Sequence, residues 1–399
     1  MLTELRTNLR TPRRRPGNSD RVRLSAGDDL DLLETTWPSD ALLHGGPAAS
    51  FAWVRAARIA FAEAEEVHVL AAQTNHRLLA ATALVGVRCL GIRRQTPLGM
   101  ELGEPVDLAG RDARGLRCLA HALIRTGQLL RIGRIVRNTP VIEAIRRAAY
   151  GRAIAIVRQA RSYPYLRLDE SWIEPERHLS PLERKRLGRA RRRAERTGPV
   201  SIEIHTPDLN ELAWLLDLAF DVEAGSLLPA GDDDAAMRLG RAVFFRQYAE
   251  AACMDGSLRI CLLRLGDRVA AVQVGVESDD TFWLLKAVAD SRFARCRPAQ
   301  LLAREVLKYA AEANLRTFAM WGAEQPWMSA WPLAACSCVS LNVYPLRIRG
   351  AAALLADTAA AIYRQARRLR SRMDAVRRSE TLHPASQAGR SPAGGSLIT

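Results

Sequence analysis

Three arginines crowd the stretch Arg292-Phe293-Ala294-Arg295-Cys296-Arg297, and Pro298 follows directly. Proline suits the first position of a helix, and Leu302, Val306, Tyr309, Ala310 and Ala313 then recur at the spacing of a buried helical face. Ahead of the arginines, an apolar run ending near Val288 reads as a strand. A strand, a cationic loop and a helix start together favour an anion, because free first-turn amides, the positive helix end and guanidinium donors act on one charge. A pyrophosphate fits such a site; on the residues alone, a loop of three hydrated arginines is the alternative. Lys286, on the strand before the loop, faces either a bound anion or an acidic neighbour. The arginines beside Cys296 favour its thiolate, but no histidine stands nearby in sequence to make it a nucleophile. Trp283, Trp321, Trp327 and Trp331 either wall a pocket or fill core.

The elements that would carry these groups run from Leu258 to Trp331. Leu258 to Leu265, the turn Gly266-Asp267, and Arg268 to Val276 predict a hairpin. A second hairpin is predicted from Val67 to Ala72 and Leu78 to Val87. Laying Arg77-Leu78-Leu79-Ala80 on Arg268-Val269-Ala270-Ala271 aligns the two at one constant separation, the mark of two copies of one domain fold. Around the first hairpin, the pattern gives a strand at Val22 to Leu24, helices from Asp28 and over Phe51 to Ala64, and a strand near Leu98. A helix from Ala113 to Thr126, a strand at Leu129 to Val136 and a helix from Val141 to Tyr150 follow. Strands alternating with helices imply an α/β mixed sheet.

Between the copies, Ser180-Pro181-Leu182-Glu183 is a capping box with proline at the first helical position. It opens a helix of Arg184, Lys185, Arg186, Arg189, Arg191, Arg192, Arg193 and Arg196, either a solvated connector or a clamp for an acidic ligand. Arg364 to Arg378 adds a second basic segment within a terminal helix. The chain of 399 residues has a net charge of +15, with 48% hydrophobic and 25% charged residues. That balance describes a globular protein of about two domains. The charge admits nucleic acid or an anionic membrane surface as a partner. No apolar run spans a membrane and no apolar leader follows Met1, so a cytoplasmic location is expected. Seven scattered cysteines suit reduced thiols. Cys336 and Cys338 share a strand face without a second ligand pair, so no metal is expected.

The order of these segments resembles the GNAT acyltransferase superfamily, and more narrowly its tandem-domain, Fem-like, CelD-type acetyltransferases of bacterial cellulose and exopolysaccharide gene clusters. Carrying the resemblance are Arg191 to Gly198, Gly256-Ser257-Leu258-Arg259, Phe293 to Leu302, and Trp321-Gly322-Ala323-Glu324-Gln325-Pro326-Trp327-Met328-Ser329-Ala330-Trp331. In the first half, Trp37, Phe51-Ala52-Trp53 and Leu98-Gly99 fit too. The resemblance implies two tandem GNAT-like acyl-CoA N-acyltransferase domains with a basic connecting helix. It divides the chain into a basic tail (1–20), a degenerate domain (21–170), the linker helix (171–200), the acyltransferase domain (201–349), a terminal helix (350–379) and a disordered tail (380–399).

It further implies acyl-CoA, with acetyl-CoA first, as co-substrate, held by Val288, Arg292, Arg295, Cys296, Arg297, Pro298, Ala299, Gln300 and Leu301. The acceptor would be an amine or hydroxyl, such as one on a polysaccharide precursor, with nucleic acid a lesser candidate and peripheral membrane contact allowed. Glu223 and Glu324 would be general bases, Lys286 a further catalytic group, and Trp283, Trp327 and Trp331 the acceptor wall. Relatives usually show Ser-Pro-Gly where Arg297-Pro298-Ala299 stands, Phe-Asp-Phe where Phe318-Ala319-Met320 stands, Trp-Lys near Gly225, and Tyr-Lys in place of Trp327-Met328. An inactive member that keeps the fold is therefore the alternative reading.

Overall fold

The computed structural model describes residues 3–4, 23–27, 30–37, 46–62, 67–74, 77–89, 91–226, 235–322 and 325–381. Its first half contains β1 (Thr3–Glu4), β2 (Arg23–Gly27), α1 (Phe51–Phe61), β3 (Val67–Gln73), β4 (Leu78–Cys89), β5 (Ile92–Pro97) and β6 (Ala109–Gly110). Then come α2 (Ala113–Arg125), β7 (Leu130–Val136), α3 (Pro140–Ala149) and β8 (Ala153–Arg167). The basic helix α4 (Pro181–Thr197) leads to β9 (Val200–His205), α5 (Leu209–Ala224), α6 (Ala235–Met254), β10 (Leu258–Leu265), β11 (Arg268–Ser278) and β12 (Thr281–Ala289). Finally α7 (Pro298–Glu312), β13 (Thr317–Met320), β14 (Ala334–Pro345) and α8 (Ile348–Thr381) close the chain.

The mixed α/β expectation holds: the strands form one mixed sheet in the order β1-β2-β3-β4-β5-β7-β14-β8-β13-β12-β11-β10-β9. Both predicted hairpins form in equivalent register, Val67 opposite Val85 and Leu258 opposite Val276. The last strands are exchanged. β14, the end of the second half, pairs with β7 of the first, while β8, the end of the first half, pairs with β13 of the second. β8 and β14 then pair antiparallel with each other from Ala153↔Pro345 to Tyr165↔Ala334.

Helices cover both faces of the sheet, as the unbroken burial along β4 and β11 requires. On one face α1, α5 and α6 share a single core across both halves, with Trp53 packed edge-on against Phe244 and Tyr248. On the other face α4 and α7 cover the second half, and α2 and α3 cover the first. Ser50 caps α1 by accepting from the Trp53 amide, and Ser180 caps α4 by accepting from the Glu183 amide, as its capping box predicts. Although α4 is mostly arginine, Leu187, Ala190 and Ala194 give it a narrow buried stripe.

One local expectation needs correction. Within the helix expected from Asp28, the described residues Asp31–Thr36 form a 3-10 turn, whose cap Leu30 offers no side-chain oxygen to an orphan amide. The strand expected near Leu98 is β5, which runs to Pro97; the Leu98 amide adds a last bond to the Ala83 carbonyl at 3.0 Å before Gly99 turns left-handed. The long strand β8 escapes prediction because its Arg158, Gln159 and Arg161 break the alternation; pairing along both edges holds it extended. Residues 5–22 and 382–399, where tails are expected, lie outside the described residues. All seven cysteines are free thiols. Among the described residues, no helix is long and apolar enough to cross a membrane. The described residues from Leu346 onward form a separate unit, in which α8 is a single helix of 34 residues.

Candidate functional site

The site is built where β12 loses its parallel neighbour. Along β12 the register shifts so that Val274 faces Lys286 while Gly275 faces Leu284, leaving Leu285 as a bulge. Gly275 is needed opposite it, since a Cβ there would lie 2.4 Å from the Phe282 ring and 3.0 Å from the Trp283 carbonyl. On its other edge β12 pairs with β13 from Thr281↔Thr317 to Leu284↔Met320, and the Trp321 amide closes the ladder on the Leu284 carbonyl at 2.8 Å. At Gly322 (φ +82°) the chain turns away, and a Cβ at that residue would lie 3.1 Å from the Leu285 carbonyl. From there the strands part. The Ala287 carbonyl on β12 accepts not from β13 but from the Gln325 carboxamide, whose oxygen in turn accepts from the Trp327 indole at 2.8 Å.

Past the parting lies the arginine loop, a 3-10 turn over Ser291–Cys296. Asp290 caps it by accepting from the Arg292 amide at 2.8 Å, and grips the Arg292 guanidinium at 2.5 Å. Those hydrogen bonds hold the Asp290 carboxyl below its ordinary value, although the side chain is only 2% exposed. Arg292 is thus committed within the loop. Arg297 takes a left-handed conformation (φ 47°, ψ 51°) and caps α7 with no side-chain hydrogen bond; its carbonyl accepts from the Gln300 and Leu301 amides, which leaves the Ala299 amide for an external acceptor. Its guanidinium leans 3.4 Å from Glu183. Arg295 is exposed, and its carbonyl accepts from Arg193 of α4. A groove of about 430 Å³ beside this contact is lined by Arg189, Arg192, Arg193, Glu195 and Arg196. α4 therefore adds cationic side chains next to the loop, which its sequence spacing does not reveal.

The other expected site residues fall into three places. Lys286 and Glu223 meet as an ion pair at 2.5 Å, with the ammonium also over the Phe220 and Phe245 rings at 4.9 and 5.0 Å. Val288, Pro298, Gln300 and Leu301 are buried, whereas Ala299 is half-buried. Cys296 is buried too, 3.8 Å from the Thr197 hydroxyl, in the core under α7 rather than at an accessible surface. Trp327 and Trp331 lie in that same core. Trp283 sits on the opposite face and lines a cleft of about 400 Å³ with Tyr163, Tyr165, Arg137, Asn138 and Cys336. Glu324 lies outside the described residues.

One carboxylate here has no sequence signal. Glu104, from the long connection between β5 and α2, accepts from the Gly322 amide at 2.7 Å, at the parting of β12 and β13. Its other oxygen is 3.4 Å from Arg134, and the side chain is 12% exposed. Arg134 is itself fixed by the carbonyls of Arg161 and Gly103. Burial pushes the Glu104 carboxyl above its ordinary value against the pull of Arg134, the Gly322 amide, Arg161 and Arg241. Its connection has no apolar period, so only the closeness of Gly99 and Gly103, both left-handed, hints at a built loop.

Residues 183–329 match the family model described as an acetyltransferase (GNAT) domain. No curated protein sequence matches the chain. Among solved structures, a conserved protein of unknown function from Bacteroides thetaiotaomicron superposes with a TM-score of 0.51 and 13% identity, covering 79% of this chain and 96% of that one. FemX superposes with a TM-score of 0.51 and 10% identity over 78% of this chain and 95% of its own. A tandem GNAT protein from the clavulanic acid biosynthesis pathway aligns at a TM-score of 0.42 and 14% identity, over 82% and 98%. At such identities the likeness is one of fold. The chain thus carries a match to the GNAT acetyltransferase domain across its second half, within a mixed α/β fold that it shares with FemX.

Proposed function

We propose that the protein is an acyl-CoA-dependent acyltransferase whose second half holds the co-substrate, acetyl-CoA in the first instance, and whose first half is a degenerate copy shaping the acceptor side. One observation carries this reading: β12 and β13 part at a bulge that points toward an open, arginine-framed helix start. The Ala299 amide, with Arg295 and Arg297, would hold the pyrophosphate, and the arginines of α4 would extend the cationic surface toward the nucleotide. The edge of β12 that β13 leaves past Leu285 would hold the amide-bearing arm. Acyl transfer to an amine or hydroxyl needs the acceptor aligned against the thioester and a group to take its proton. The cleft beside Trp283, Tyr163 and Tyr165 offers the acceptor a place on the other side of the parting. A CelD-type role on a polysaccharide precursor is the narrower form of this proposal and rests on motif resemblance.

Ala299 fits less well, because its Cβ stands where relatives usually place glycine close to phosphate. Gln325 also bridges the space that the arm would enter, its carboxamide already bonded to the Ala287 carbonyl. These two features support a second reading, an inactive fold that binds without turnover. Calorimetric titration with acetyl-CoA, followed by a thiol-release assay over a panel of amines and sugars, separates the readings. Binding with thiol release supports the transferase; binding alone supports the inactive form; no binding overturns both.

A further inference from the structure

The acyltransferase reading needs a base. Of the two expected from motif resemblance, Glu223 is ion-paired with Lys286 at 2.5 Å, and Glu324 lies outside the described residues. We propose that Glu104, contributed by the first half, is the catalytic base at the parting of β12 and β13 in the second. The inference rests on the acyl-CoA reading above.

The position follows from two contacts. Glu104 Oε1 accepts from the Gly322 amide at 2.7 Å, and Gly322 packs directly on the Leu285 carbonyl at the bulge. The carboxylate therefore lies where the strands open, beside the place at which a thioester held along β12 would end. Each carboxylate oxygen uses one lone pair on a protein donor and keeps another for an acceptor proton. Arg134 orients the group from β7, and Arg134 in turn lies 6.0 Å from the Tyr163 ring. Tyr163 contacts both Trp283 and Trp321. Glu104 does not itself line the cleft of Tyr163 and Trp283, but Arg134 and Tyr163 link it to that cleft, on the side from which an acceptor would approach.

In the step, the acceptor nitrogen or oxygen bonds to the acyl carbon and the carbon–sulfur bond breaks. Glu104 takes the proton released by the acceptor and returns it to solvent, and the departing thiolate is protonated from solvent. The charged and titratable groups facing Glu104 are Arg134 on β7, Arg161 on β8, Arg241 on α6 and Cys338 on β14. Desolvation outweighs the cations, so the base form is lost at a higher pH than for an ordinary glutamate. The activity should accordingly fall as the pH drops through that raised value.

The test uses the full chain with Glu104→Gln, which keeps the volume and an oxygen for the Gly322 amide. Expected results are an unchanged acetyl-CoA dissociation constant, a fall in thiol release of about 100-fold or more, as general bases typically supply, and loss of the acidic limb of the pH profile. Independently of turnover, carbon-13 NMR of glutamate-labelled protein should show one carboxyl titrating above the others, absent in the variant. Activity near that of the parent in Glu104→Gln would mean that Glu104 only fastens the turn and would overturn the proposal. So would an acidic limb abolished instead by Glu223→Gln or Glu324→Gln, or acetyl-CoA binding with no release above background for any probe. Failure of acetyl-CoA to bind the parent protein would sink the underlying reading instead.

Discussion

The two halves build the same hairpin in the same register and then treat the next helix start in opposite ways. In the second half α7 opens on Arg297, left-handed and without a side-chain cap. In the first, α2 opens on Asp112, whose carboxylate accepts from the Gly115 amide at 2.6 Å. Gly115 also packs on Leu79, where a Cβ would lie 2.6 Å from the Leu79 Cβ. One helix start thus keeps the Ala299 amide and its cations for an outside anion, with Glu183 3.4 Å from Arg297, while the other has filled its own site with a carboxylate and a packed strand. Charge and packing both favour the second half as the place for a phosphate under the proposed reading. The first half has a different resource: its connection from β5 to α2 is long enough to carry Glu104 across to Gly322. Duplication would have left one copy to bind and the other free to lend a side chain.

The sharpest way to break this comparison is to copy the first half onto the second. Arg297→Asp should weaken acetyl-CoA binding on the order of 100-fold, since it replaces a charged donor by a competing carboxylate worth about 3 kcal/mol; unchanged affinity in calorimetry would move the phosphate site elsewhere. Arg295→Ala removes one exposed donor and should cost roughly 10-fold, with a shallower salt dependence. Two further changes probe the first half. Asp107 is buried, accepting from the Thr139 hydroxyl at 2.7 Å and from the Leu108 amide, and burial raises its pKa from 3.8 to about 7. The folded protein then takes up a proton before the unfolded chain does, so stability should rise as pH falls from above 7 toward 4. Thermal denaturation of Asp107→Asn should lack that rise, and an unaltered profile would show that Asp107 does not titrate there. Smallest of all, Asp112→Ala should lose about 1 kcal/mol of stability as a lost cap, measured by urea denaturation, with no effect on acetyl-CoA affinity.

Much of the fold was legible because it rests on local pattern. The hairpins announce themselves by alternation and turn residues, α7 by Pro298 and its apolar period, and α4 by the box at Ser180 and Glu183. The arginine loop was legible for the same reason, but not how its arginines are spent: Arg292 is bound to Asp290, and Arg297 leans toward Glu183. Lys286 and Glu223 were each recognisable as chemistry-bearing groups, whereas their ion pair required α5 to lie over β12. Trp327 was read toward a pocket and lies instead in core, its indole orienting Gln325; the same ring suits either surface, and burial depends on which face the turn presents.

By itself, then, the sequence determined the repeated hairpin, its register, and a cationic helix start after the second copy, since each depends on neighbours within one or two elements. Tertiary structure alone decided the exchange of β8 and β14, the parting of β12 from β13 at Leu285, and the arrival of Glu104 at Gly322. The reason is physical. Backbone groups pair with any extended partner, so which strands meet is chosen by the packing of the whole sheet, and a carboxylate's role is set by what burial places around it.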